Sequence, residues 1–91
     1  METKIAIIEA DKLVDNILKK GGIKGSTLGE RLRNTEKLVP REVYSNMWEA
    51  HKVRNMIVHD DDFDIKKVDR DLVIWRMKKF LMSLGVFKNE R

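Results

Sequence analysis

The sequence predicts an all-α protein built as an antiparallel four-helix bundle. Three observations lead there. Long segments repeat their apolar residues every three to four positions, no segment sustains the period-two alternation of a half-buried strand, and the single proline and most glycines fall between the periodic segments. Ninety-one residues suffice for one domain and not for two, so residues 1–91 form a single unit with a thin core.

The first helix is expected from about Lys4 to Lys20, with Thr3 as its cap. Ala6, Ala10, Leu13 and Ile17 make one apolar line, Ile7, Val14 and Leu18 run beside it, and Gly21-Gly22 ends it. A short second helix takes Ser26 as cap, carries Leu28 and Leu32, turns Glu30 and Arg31 to solvent and fades near Asn34. The third begins around Pro40, which suits a first turn because its missing N–H has no intrahelical partner there, and continues to His59. After a short extended piece at Phe63 to Ile65, the fourth runs from about Lys66 to Leu84. Val73, Ile74, Met77, Phe80, Leu81 and Leu84 form its stripe and Gly85 stops it.

With no cysteine the chain has neither disulfides nor a thiolate metal site, so helix packing and a partner subunit are the expected sources of stability. The apolar run Ile5-Ala6-Ile7-Ile8 is broken by Glu9 and lacks a small-residue cleavage pattern. Neither a signal peptide nor a membrane span is expected, and the protein is read as cytoplasmic. A net charge of +4, from 19 basic against 15 acidic residues, permits a nucleic-acid partner without requiring one. Asp60, Asp61, Asp62 and Asp64 lack the glycine and the distal glutamate of a calcium loop, so they are read as capping the fourth helix. No metal and no cofactor are expected.

The third helix contains the residues that break the pattern. Its apolar line through Val43, Met47 and Ala50 continues through Arg54 to Ile57. An arginine on a core line must snorkel to solvent, pair with a carboxylate or line a cleft, because an unpaired buried cation is costly. The neighbouring line, Tyr44, Trp48, His51, Asn55 and His59, stacks aromatic and polar groups along one edge, with His51 read as an edge residue. Arg54 and His59 lie roughly 140° apart and about 7.5 Å apart along an ideal helix, so they share a site only where it wraps the helix end or where a second subunit contributes. Asn55 and His59 share a face, which makes Asn55 a candidate orienter of the imidazole or a phosphate donor.

The run Arg54-Asn55-Met56-Ile57-Val58-His59 resembles the signature of the HEPN ribonuclease superfamily: an arginine, a polar residue, and a histidine four to six residues after the arginine. The stretch Leu38 to Ile65, with Trp48-Glu49-Ala50-His51 before the arginine and an acidic turn after the histidine, is similar to small bacterial members, and the helix order agrees. Toxins of this superfamily that pair with nucleotidyltransferase antitoxins carry a tyrosine two residues after the histidine. Here that position is Asp61.

The resemblance implies an HEPN-like bundle and metal-independent cleavage of RNA, in which the ribose 2′-hydroxyl attacks the adjacent phosphate. The implied catalytic residues are Arg54, for the charge on the phosphoryl oxygens, His59, for proton transfer, and Asn55, for positioning. One chain supplies one signature histidine, so a homodimer packed through the third helix is expected to build the acid and base pair. An antitoxin or a larger complex is a further expected type of partner. Two other readings are a non-catalytic RNA-binding or dimerisation module of the same fold, and a helix-turn-helix DNA-binding protein formed by Ser26 to Asn34 and the third helix. The aromatic row and the lack of a run of exposed basic residues on that helix count against the latter.

Overall fold

Helices account for about three quarters of the described residues. The computed structural model describes residues 2–85. It contains α1 (Thr3–Lys20), α2 (Leu28–Arg33), α3 (Arg41–His59) and α4 (Arg70–Ser83), with single 3-10 turns at Glu36–Leu38 and Ile65–Lys67 and no strand among the described residues. The all-α class is therefore correct. No strand forms at Phe63 to Ile65: Asp64 is extended, and Ile65 opens a 3-10 turn.

Three long helices make the bundle, and six-residue α2 braces them. Ala10, Leu13 and Val14 of α1 line one apolar cavity with Ile74, Met77 and Leu81 of α4, and Ile17 and Leu18 meet Leu84 in the next. The matching order means that α1 and α4 run the same way. Val43 and Asn46 of α3 face Leu72, Trp75, Arg76 and Lys79 of α4 across a groove. The core is filled by Ile7, Val14 and Leu18 of α1, Leu28 and Leu32 of α2, Val43, Met47 and Ala50 of α3, and Val73, Met77, Phe80 and Leu81 of α4.

The line that α1 turns inward is Ile7, Asp11, Val14 and Leu18, one residue round from the expected one. Leu13 is 56% exposed, whereas Asp11 is buried. Arg31, expected in solvent, is buried too. The cap of α2 is Thr27 rather than Ser26. Its Oγ1 accepts from Glu30 N–H while the Glu30 carboxylate accepts from Ser26 N–H at 2.8 Å, so two orphan donors at one helix end are satisfied. Helix α4 starts later than expected, at Arg70, with the Asp69 side chain accepting from Leu72 N–H.

Three described glycines take positive φ, Gly22, Gly25 and Gly85, and the first two shape the turn between α1 and α2. At the end of α1, Ile23 N–H bonds to Leu18 O at 3.0 Å and Gly22 N–H to Lys19 O at 3.1 Å, a Schellman closure that puts Gly22 at φ +86°. Gly25, at φ +149°, lies so close to α2 that an added Cβ would fall 2.9 Å from Arg31 N and Arg31 Cγ.

Candidate functional site

Carboxylates on α1 and cations on α2 and α3 meet in one buried seam. Asp11 and Asp15 are one helical turn apart, so they share a face of α1, and His51 and Arg54 are similarly paired on α3. Asp11 is bracketed. Its Oδ1 lies 3.0 Å from His51 Nδ1 and its Oδ2 lies 3.5 Å from Arg54 Nε, while its side chain is only 5% exposed. A carboxylate can only accept, so Nδ1 carries the hydrogen that Asp11 receives. The Arg54 contact is an ion pair by distance, but Nε makes no hydrogen bond within it.

Arg54 is thus neither snorkelling freely nor buried outright. Its side chain is 31% exposed, and Nη1 donates to Asn55 Oδ1 at 3.0 Å. Asp11 and Asn55 therefore fix the guanidinium from two sides, with one of its five N–H donors used in a hydrogen bond among the described residues. One turn along α1, Arg31 Nη1 donates to Asp15 Oδ1 at 2.6 Å, which ties α2 to the same seam. The aromatic row is present as the spacing predicts. Tyr44 meets Trp48 edge-on at 6.3 Å, Trp48 meets His51 edge-on at 5.8 Å, and the Arg33 guanidinium lies 5.9 Å from the Trp48 ring.

The two histidines differ sharply. His51 is 8% exposed and bound to Asp11, so it is a buried residue rather than an edge one. His59 is the last residue of α3, exposed, and has no hydrogen bond or ion pair among the described residues. Asn55, expected to orient His59, is bonded to Arg54 instead. The structure thus joins Arg54 to Asn55 and leaves His59 apart, further round the helix, as the five-residue separation requires.

The acidic loop is used for turns. Asp60 Oδ1 accepts from Asp62 N–H, Asp64 Oδ1 from Lys66 N–H and Asp69 Oδ1 from Leu72 N–H. Among the described residues no three His, Asp or Glu side chains cluster as metal ligands. No described helix is long and apolar enough to cross a membrane.

Asp11 is the site residue that sequence reasoning missed. A signal was present, because Ile7, Asp11, Val14 and Leu18 are spaced at four, three and four residues, and a carboxylate on that line needs a cation from another helix. No protein-family model, no curated protein and no solved structure matches this chain.

Proposed function

We propose that the protein is an endoribonuclease of HEPN type, cleaving RNA by 2′-hydroxyl transesterification at a composite site in a homodimer. The observation that carries this reading is a braced arginine followed, five residues on and further round α3, by an exposed histidine at the helix end. Arg54 is held by Asp11 and Asn55 with its side chain partly exposed, and His59 is exposed and has no hydrogen bond or ion pair among the described residues. Orientation by buried groups is what a transition-state cation needs, since a preorganised donor does not have to reorganise during the reaction. In the step proposed, His59 takes the proton from the 2′-hydroxyl, whose oxygen bonds to phosphorus. The P–O5′ bond breaks, and the 5′-oxygen receives a proton from His59 of the partner subunit, leaving a cyclic phosphate and a 5′-hydroxyl. Arg54 neutralises the charge on the non-bridging oxygens.

The need for two chains follows from the histidines. Only two are present in the sequence and one is consumed by Asp11, so a single chain offers one accessible imidazole. Met56 and Val58, 41% and 43% exposed, give the same helix end apolar surface for a second copy to cover.

One observation favours a second reading, in which the fold binds RNA or dimerises without cutting: the seam ties Arg54 to a buried carboxylate, as a structural ion pair would. Incubation of labelled RNA in chelator with wild type and with His59→Ala separates the two. Cleavage by the wild type alone, with cyclic phosphate ends, is the expected result; RNA left intact by both proteins would leave the binding module.

A further inference from the structure

The groove between α3 and α4 is lined by Val43 and Asn46 on one side and by Leu72, Trp75, Arg76 and Lys79 on the other, and has a volume of about 190 Å³. Trp75 is 49% exposed, an uncommon position for so large an apolar ring. Lys79 stands one turn beyond it on the same face of α4. Arg76 and Lys79 form no hydrogen bond or ion pair among the described residues, and the buried Nε of Arg76 has no partner at all. That contrasts with Arg31 and Arg54, each set against a carboxylate. No Asp or Glu lines the groove. An aromatic face flanked by uncommitted cations is the arrangement that holds single strands, a base stacking on the ring while the backbone phosphates meet the charges.

We propose that this groove binds single-stranded RNA, with one base on the Trp75 indole, the adjoining phosphates on Arg76 and Lys79, and Asn46 as a hydrogen-bonding group at the rim. The choice of RNA rests on the ribonuclease reading. The stacking and the cations stand without it. A second copy of the chain is the competing occupant of an exposed tryptophan, but the chain carries a net +4 and would bring further positive charge against Arg76 and Lys79. Asn46 lies thirteen residues before His59, about 20 Å along α3. A strand seated here therefore reaches the cleavage end only across several nucleotides, which makes the groove a separate subsite for substrate.

The test uses His59→Ala protein, which cannot cut the probe by the proposed mechanism, titrated with a short labelled oligouridylate and followed by fluorescence anisotropy. Trp75→Ala should weaken binding about ten-fold, Trp75→Phe should retain most of it, and Lys79→Ala should lower the slope of log K against log salt by about 0.7. Circular dichroism of each variant shows whether it folds, and Lys79→Ala, changed only at an exposed lysine, carries the test if Trp75→Ala does not. Unchanged affinity in folded Trp75→Ala overturns the proposal, as does a parent protein that does not bind the probe. A loss of dimer in light scattering with RNA binding unaltered also overturns it and assigns the face to a second copy. Wild type that leaves RNA uncut while Trp75-dependent binding persists defeats the ribonuclease reading alone; cleavage with Trp75-independent binding defeats this inference alone.

Discussion

Asp11 occupies a position between Ile7 and Val14 where α1 faces the core, and its carboxylate is buried with two cation-forming side chains around it. Removing it should destabilise the fold more than removing either partner. In Asp11→Ala, His51 Nδ1 loses its acceptor in the interior and Arg54 loses its anchor, a change expected to cost about 3 kcal/mol. Arg54→Ala should cost only about 1 kcal/mol, since that side chain is partly solvated and His51 still serves the carboxylate. Urea unfolding of the two variants and their double mutant checks both the order and the coupling; Arg54→Ala proving the more damaging would mean that Asp11 depends on the arginine rather than on His51. Much of this site was legible. Arg54 stood out as a cation on an apolar line and Asn55 as its polar neighbour, whereas His59, singled out with them, stands apart from the seam. Asp11 did not stand out, because apolar residues border it on both sides of the helix and a shift of one position moves it from flank to centre. The bond between Asn55 and Arg54 was also hidden, since helix spacing gives neighbours but not which rotamer each side chain adopts.

The C-terminal end of α1 and the N-terminal ends of α2 and α4 are closed by local devices, and those around α2 set where Arg31 stands. Gly22 turns the chain out of α1, Gly25 brings it within contact of Arg31, and Thr27 with Glu30 starts α2 so that Arg31 reaches Asp15. The extents of α1 and α3 follow from apolar periodicity and from glycine and proline punctuation, which is why they were readable. The start of α4 was not. Several aspartates precede it, any of which can cap, and the choice depends on how the chain leaves His59 and returns to the core at Val73. The structure selects Asp69, so Asp69→Ala should cost about 1 kcal/mol of stability. Asp61→Ala, a change at an exposed loop position, should shift the melting midpoint by little more than its error. Paired thermal melts decide between them, and equal effects would show that the acidic run acts through its summed charge on the helix dipole instead of through one hydrogen bond.

At the scale of the whole molecule, the bundle buries one histidine against Asp11 and leaves the other at an exposed helix end, so under the proposed ribonuclease mechanism a single chain would hold half of an acid and base pair. The proposed dimer would complete that pair by covering Met56 and Val58, which are exposed close to His59. Mixed dimers test this more directly than any single variant. His59→Ala chains are mixed with wild type at constant total protein and allowed to exchange subunits. If each site needs one imidazole from each chain, heterodimers lack either the base or the acid, and only wild-type pairs cut. Their share is the square of the wild-type fraction, so an equal mixture should retain about a quarter of the activity. If every chain carries a complete site, heterodimers keep one working site and the same mixture retains about half. Cleavage rates across a series of mixing ratios separate a parabola from a line. A linear series, or a monomeric mass at full activity, would assign both proton transfers to one chain, and the composite site would have to be abandoned.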